Sequence, residues 1–302
     1  MSNLRVAAVV GPTAVGKTEL SLEVAERLDA EIVSVDSMQI YVGMDIGTAK
    51  VGEAERARVP HHLLDLRTPD HELTVAEFQA LARAAIDDIA GRGKMPLLVG
   101  GSGLYLRAVI DELSFPPRSP TVRSSLEAEA DELGSEALHA RLVELDPVAA
   151  GRIEPGNARR SIRALEVIEI TGRPFSDNDS WERYESIYDI RIAGVTRART
   201  ELYRRIEERV HAMGVAGLVE EARALEAKMG RTARQALGYK QILDDPEASP
   251  ETLRDAIVRA TKRFARRQES WFRADPRVVW FDAGTAGADE IAGFFTGHHA
   301  LP

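Results

Sequence analysis

One segment, residues 11–18, constrains the fold of this chain more than any other part of the sequence. It reads GPTAVGKT and matches the pattern G-x-x-x-x-G-K-[ST], with a β-branched run before it and a segment of helical spacing after it. Glycines in such a loop let backbone N–H groups surround an oxyanion, Lys17 adds a positive charge, and the Thr18 hydroxyl suits Mg²⁺. The segment therefore predicts a loop that binds a diphosphate or a nucleotide through Gly11, Pro12, Thr13, Ala14, Val15, Gly16, Lys17 and Thr18.

Strand and helix signals alternate over about the first 110 residues. Apolar runs predict strands at 4–10, 31–35 and 96–99, and the spacing of apolar residues predicts helices from Thr18 and over 75–89. This alternation is typical of a parallel sheet with crossover helices. Glycines follow the first and third runs, at the sheet edge where open α/β proteins bind ligands.

The sequence changes character after Phe115. From 121 to about 171 it is rich in Ala, Leu, Glu and Arg with helical spacing. Strand signals return at 188–195 and 278–281, and helical spacing at 200–213, 215–228 and 250–273. We therefore predict a P-loop NTPase-like α/β core with C-terminal helices, formed by residues 1–120 and 186–302, and an inserted all-helical domain at 121–185.

Composition limits the class of protein. The chain is 44% hydrophobic and 29% charged, as soluble globular proteins are. No apolar run approaches the roughly 18 residues that a membrane span needs, so we expect a cytoplasmic protein without a membrane partner. The chain has no cysteine, which excludes disulfides, thiolate metal sites and a cysteine nucleophile.

The net charge of −9 argues at first against a nucleic-acid partner. The charge is uneven, however: residues 1–150 carry 14 basic and 24 acidic side chains, and residues 151–302 carry 25 and 24. Between Arg259 and Arg277, seven basic residues accompany two acidic ones. A local basic surface can therefore exist within an acidic chain.

Asp36 directly follows the second predicted strand, beside the 11–18 loop in the expected sheet. A carboxylate there could hold a Mg²⁺-bound water, accept a proton from a nucleophile beside the diphosphate, or simply stabilise a turn. The sequence lacks the N-K-x-D motif of GTPases, which argues against a G protein. Two other classes stay open: a small-molecule kinase that uses ATP with Asp36 as base, and a nucleotide-switched binding protein.

Seven segments carry a more specific signal. They are GPTAVGKT at 11–18, VSVDSMQIYVGMDIGTAK at 33–50, PHHLLD at 60–65, LLVGGSGLYLRA at 97–108, RRSIRALEV at 159–167, QALGYKQ at 235–241 and RFARRQESWFR at 263–273. Together, in this order over nearly the whole chain, they resemble the bacterial tRNA dimethylallyltransferases. The resemblance implies Mg²⁺-dependent transfer of a dimethylallyl group from dimethylallyl diphosphate to N6 of the adenosine 3′-adjacent to the anticodon, with the tRNA anticodon stem-loop as partner.

The resemblance also implies roles for individual residues. Asp36 would be the general base, since the adenine amine must lose a proton as the C–N bond forms. Lys17, Thr13 and Arg209 would stabilise the leaving diphosphate, with Mg²⁺ on Thr18. The implied tRNA contacts are Asp36, Ser37, Met38, Gln39, Ser102, Arg123, Arg160 and Arg163, with Ser102 at a place where the family mostly carries Thr. Sequence spacing alone would make Arg160, Arg163 and Arg209 ordinary exposed helix residues.

Two pairs of residues have simpler interpretations. His61 and His62 are adjacent and lack the spacing of metal ligands, so we expect structural or solvent-facing roles. Trp271 and Phe272 could stack on a base, but we expect them to anchor the basic helix in the core. We also expect the protein to be a monomer.

Overall fold

The computed structural model describes residues 4–177 and 183–297. The chain forms two compact units, the first made of residues 1–111 with 184–302 and the second of residues 112–183. The second unit thus begins earlier than the predicted start at 121. Arg163 in the second unit donates to the carbonyl oxygens of Pro116 and Pro117, which ties this segment to the helices that follow it.

Asp111, the last residue before the second unit begins, is paired with side chains of the first unit. Its buried carboxylate accepts a hydrogen bond from Arg107 Nε at 2.6 Å and forms an ion pair with Arg277, which lies just before the last strand. The Tyr184 ring, where the chain returns, lies against both guanidinium groups, 4.4 and 5.3 Å from its centroid. This buried, paired carboxylate therefore joins the residue where the chain leaves the first unit, Asp111, to the residue where it returns, Tyr184.

The first unit contains a parallel sheet of six strands in the order β3-β2-β4-β1-β5-β6. The strands are β1 Arg5–Val10, β2 Ala30–Ser34, β3 His61–His62, β4 Met95–Gly100, β5 Asp189–Thr196 and β6 Val278–Asp282. The predicted α/β class and the strands anticipated from apolar runs are confirmed. Because all strands are parallel, their carboxyl ends share one edge, and the order reverses direction at β1, where ligands bind in such sheets.

The helices of the first unit cover the sheet. They are α1 Lys17–Leu28, α2 Glu53–Arg58, α3 Val75–Gly91, α4 Gly103–Ile110, α9 Arg199–Val215, α10 Leu218–Leu225, α11 Tyr239–Asp244, α12 Pro250–Arg273 and α13 Ala288–Thr296. The helix predicted over 215–228 is wrong in extent, because Gly217 adopts a left-handed φ of 98° that separates α9 from α10. Among the described residues, no helix combines the length and apolar character needed to cross a membrane.

The second unit is built from helices α5 Pro120–Leu133, α6 Ser135–Leu145, α7 Pro147–Ala150 and α8 Ala158–Thr171. Its own small core contains Leu126, Leu138, Leu142 and Leu165. Ser119 and Asn157 cap α5 and α8 by accepting backbone N–H bonds, which satisfies donors that a helix leaves open at its start.

Candidate active site

A cavity of about 840 Å³ lies at the carboxyl edge of the sheet in the first unit. Its walls come from the loop after β1, the segment after β2, the β4–α4 loop, α9 and α12. The structure thus brings together residues that are far apart in sequence. The predicted site residues that line the cavity are Thr13, Ala14, Gly16, Lys17, Thr18, Asp36, Ser37, Met38, Gln39, Ser102 and Arg209.

The 11–18 loop, called the phosphate loop below, needs its glycines. Gly11 has a φ of +150°, and a Cβ there would lie 2.5 Å from the carbonyl oxygen of Val195 in β5. Gly16, with a φ of 108°, opens α1 in the left-handed region. A residue with a side chain would be strained at both positions, so the curled backbone that surrounds an oxyanion depends on glycine.

Two arginines hold the phosphate loop from α9 and the turn before it. Arg205 Nε donates to the Ala14 carbonyl oxygen at 2.9 Å, and Arg197 Nε donates to that of Val15 at 2.8 Å. Sequence reasoning missed both, because nothing in their local spacing connects them with a loop about 180 residues earlier. In each arginine only Nε is used by this bond, and the terminal amino groups of the guanidinium lie beside Gly16 of the loop.

Lys17 and Arg209 concentrate positive charge in the cavity. The Lys17 ammonium donates to the carbonyl oxygens of Gly11 and Pro12 at 2.9 and 2.7 Å. Burial and, to a smaller extent, the Arg209 charge lower the pKa of Lys17 to about 7, against the opposing effect of the nearby Asp36. Burial likewise lowers the pKa of Arg209, again opposed by Asp36. Within the described ranges neither cation forms an ion pair with a carboxylate, so a bound anion would relieve their repulsion.

Asp36 stabilises the turn after β2 and also lines the cavity. Its Oδ1 accepts backbone N–H bonds from Met38 at 2.8 Å and Gln39 at 3.4 Å. Its Oδ2 has no hydrogen-bond partner among residues 4–177 and 183–297. One oxygen therefore fixes the carboxylate while the other is available to a ligand.

The segment after Asp36 is held by side-chain hydrogen bonds of Gln39 and Glu221. The Gln39 amide accepts from the Ser34 hydroxyl at 3.1 Å and donates to the Thr48 carbonyl oxygen at 3.2 Å. Glu221 of α10 accepts backbone N–H bonds from residues 45–47. Such contacts fix a loop without regular structure at the cavity wall.

Helix α12 contributes four residues to the cavity, which are Phe264, Arg267, Gln268 and Trp271. The expected anchoring role of Phe272 is confirmed by its burial. Trp271 is 37% exposed and packs on Gly103, where a Cβ would lie 1.9 Å from the indole. The expected anchoring role is therefore only partly right for Trp271.

The three predicted RNA-contacting arginines of the second unit differ among themselves. Arg163 forms an ion pair with the fully buried Glu166 at 2.8 Å, and Arg123 lies 3.7 Å from the same carboxylate. Arg160 is exposed, and its side chain makes no ion pair with the described residues. Contacts of all three with RNA stay predictions.

The two adjacent histidines do not form a metal site. His62 Nε2 bonds Glu31 at 2.7 Å, and His61 Nδ1 bonds the carbonyl oxygen of Val59 at 2.7 Å. In the part of the chain that the structure describes, no group of three or more His, Asp and Glu side chains could hold a metal ion. Both histidines thus make structural hydrogen bonds, and His61 also lines the cavity.

Comparison with known proteins gives consistent matches. A family model described as IPP transferase matches residues 39–275. The curated tRNA dimethylallyltransferase of Streptomyces coelicolor is 54% identical over 292 residues, covering 95% of this chain and 93% of that protein. The crystal structure of the tRNA isopentenylpyrophosphate transferase of Bacillus halodurans is 42% identical, with a TM-score of 0.71, and covers 97% of this chain and 95% of that one.

A more distant structure matches the fold. It is a eukaryotic dimethylallyltransferase acting on tRNA, with 24% identity and a TM-score of 0.84, and the match covers 99% of this chain and 81% of that one. The P-loop NTPase-like α/β fold predicted from the sequence is confirmed by these structural neighbours together with the parallel sheet.

Proposed function

The chain belongs to the IPP transferase family, and from this premise we propose that this transferase moves a dimethylallyl group from dimethylallyl diphosphate to N6 of the adenosine 3′-adjacent to the anticodon in tRNA. The observation that carries the proposal is one cavity that combines a carboxylate with two cations that form no ion pair with the residues the structure describes. Lys17 and Arg209 suit a diphosphate, and Asp36 suits a group that must lose a proton.

The bond changes assign a task to each side chain. The bond between C1 of the dimethylallyl group and the diphosphate oxygen breaks, and its electron pair leaves with the diphosphate. The lone pair of adenine N6 forms the new C–N bond, and the N6 proton passes to Asp36. Lys17, Arg209 and backbone N–H groups of the phosphate loop stabilise the charge that grows on the leaving group. The products are N6-dimethylallyl adenosine and free diphosphate.

Mg²⁺ fits this site as a proposed cofactor. Mg²⁺ in phosphate sites is held by one or two protein oxygens, substrate phosphates and water, so a dedicated cage of carboxylates is not required. The Thr18 hydroxyl lies on the cavity wall at the start of α1 and would hold the ion. When bound, Mg²⁺ would neutralise charge on the diphosphate.

The acceptor adenosine must leave its stack to reach a buried carbon. Extrusion costs a few kcal/mol and is easier in a loop than in a duplex, which suits an anticodon loop. We assign Ser37, Met38, Gln39 and Ser102 to the flipped base and its neighbours, and Arg123, Arg160 and Arg163 to the RNA. A cytoplasmic location and a monomeric state remain our expectations from the sequence.

The direct test is to incubate the protein with Mg²⁺, dimethylallyl diphosphate labelled in the allyl group, and unmodified tRNA. We expect label on one adenosine of the anticodon loop and release of one diphosphate per label, measured by nucleoside mass spectrometry and a diphosphate assay. ATP-dependent phosphorylation of a small molecule without label in tRNA would refute the proposal and favour the kinase alternative.

A further inference from the structure

We propose that Gln268 is a positioning residue that fixes the phosphate loop against the β4–α4 loop, and so sets the distance between the diphosphate and the acceptor base. The inference rests on the proposed function, because that function places the two substrates on these two loops. Gln268 belongs to α12, about 250 residues after the phosphate loop.

Both polar atoms of the Gln268 amide are used. Its Oε1 accepts the backbone N–H of Thr13 at 2.9 Å, and its Nε2 donates to the Gly101 carbonyl oxygen at 2.9 Å. The residue is only 7% exposed, so water cannot replace these partners freely. One side chain thus bridges the loops that carry Thr13 and Ser102.

Helix α12 packs so closely on the β4–α4 loop that the residues on both sides of Ser102 have no room for a side chain. A Cβ at Gly101 would lie 2.2 Å from Gln268 Nε2, and a Cβ at Gly103 would overlap the Trp271 indole. Gln268 and Trp271 are three residues apart on one face of α12. Two glycines therefore let the helix contact the loop directly, and Ser102 lies between those contacts.

An amide is the side chain that suits this place. The phosphate loop offers a donor and the β4–α4 loop offers an acceptor, and an amide has one atom for each. A carboxylate would face the Gly101 carbonyl oxygen with like partial charge, and an apolar side chain would leave both backbone groups without partners. The pairing is thus specific to Gln or a side chain of the same shape and polarity.

Loss of the bridge should affect the chemical step more than binding. Each loop keeps its own anchors, such as Arg205 and Arg197 on the phosphate loop, so each substrate should still bind. Their relative placement would loosen, and a misplacement of about 1 Å can slow a reaction about 100-fold.

The test uses Gln268→Met, which keeps the length and volume of the side chain and removes both hydrogen bonds. We expect single-turnover transfer to tRNA to slow by about 30- to 100-fold, while the Kd values for inorganic diphosphate and for tRNA each change less than about threefold. Thr261→Val is the matched control: Thr261 is also buried in α12, but among the described residues its hydroxyl bonds only the Ile257 carbonyl oxygen of the same helix. We expect the control to transfer at the wild-type rate.

A double variant separates positioning from packing. Gly101→Ala alone places a methyl group 2.2 Å from Gln268 Nε2, and adding Gln268→Ala removes this severe overlap, leaving the Gly11 carbonyl oxygen at 3.3 Å as the tightest neighbour. We expect Gly101→Ala/Gln268→Ala to unfold at a higher temperature than Gly101→Ala and yet remain slow in transfer. A rate that recovers together with the melting temperature would show a packing role only and overturn the inference.

The wild-type protein in the same assay distinguishes the two proposals. Transfer by the wild type with an equal rate for Gln268→Met would overturn the positioning role and leave the proposed function intact. An absence of transfer by the wild type would overturn the proposed function, and the positioning role that rests on it.

Discussion

Arginines in the two units of this protein differ in what neutralises them. Arg209, in the first unit, lines a cavity and makes no ion pair with the described residues. Arg163, in the second unit, pairs with the fully buried Glu166 and also donates to two proline carbonyl oxygens. The resemblance assigned both to substrate, but their surroundings are opposite.

The difference separates a cation that awaits a bound anion from one that also holds the fold together. Burial without a partner lowers the pKa of Arg209, so its charge is kept at a cost in stability that a bound anion would offset. A buried pair such as Arg163 with Glu166 instead loses stability when one partner is removed. Activity should therefore depend on Arg209, and stability on Arg163.

The largest effect is expected for Arg209→Met. Removing this cation should lower kcat/KM about 100- to 1000-fold, as loss of a preorganised charge at a leaving group does. The melting temperature should not fall, because the substitution breaks no ion pair within residues 4–177 and 183–297. Arg204→Met is the control on the same helix, since Arg204 is exposed and pairs with Glu201 and Glu208. A lower melting temperature of Arg209→Met with an unchanged transfer rate would mean that Arg209 stabilises the fold and does not act in catalysis.

Arg163→Met should act on stability. We expect a loss of about 2–3 kcal/mol in the free energy of unfolding, below the full cost of an unpaired buried charge because Arg123 remains near Glu166. Chemical denaturation measures it, and Arg159→Met on the exposed face of α8 serves as control. Unchanged stability would mean that Glu166 does not need Arg163.

Lys17 should make diphosphate binding depend on pH. Its ammonium is protonated below its pKa of about 7 and loses its charge above it. The ratio of diphosphate affinities, wild type over Lys17→Met, should therefore fall about tenfold from pH 6 to pH 8. Titration calorimetry of both proteins measures the ratio, in which protonation of the diphosphate itself cancels. A constant ratio over this range would contradict a lowered pKa.

Arg160 should give the smallest effect. Arg160→Ala should weaken tRNA binding a few-fold and reduce the slope of log K against log salt by about 1, as loss of one phosphate contact does. Diphosphate binding to the same variant is the internal control and should not change. An unchanged salt slope would remove Arg160 from the RNA contacts.

The sequence predicted the parts of the site that depend on neighbouring residues. The phosphate loop needs a strand before it, a helix after it and glycines within it, and all three are visible in residues 4–28. The two-residue strand β3 and the helix α4, which is buried almost all round, show no periodic pattern and were not anticipated.

The site residues that local sequence patterns did not predict reach the site through contacts between segments far apart in the chain. Arg205 and Gln268 reach the phosphate loop from α9 and α12, and no spacing in sequence indicates that they meet it. Arg209 was expected only through the resemblance, because its own helix pattern favours an exposed position. The fold brings the carboxyl ends of β1 and β5 together, which places α9 beside the phosphate loop, and α12 reaches the same loop through Gln268.

The most direct measurement of the central claim is the single-turnover rate of Asp36→Asn. Asn keeps an oxygen for the backbone N–H of Met38 and removes the base, so diphosphate binding and the melting temperature should stay near those of the wild type. We predict that transfer of labelled dimethylallyl to tRNA slows by at least about 100-fold. Transfer at the wild-type rate would contradict a role for Asp36 as the base in this cavity.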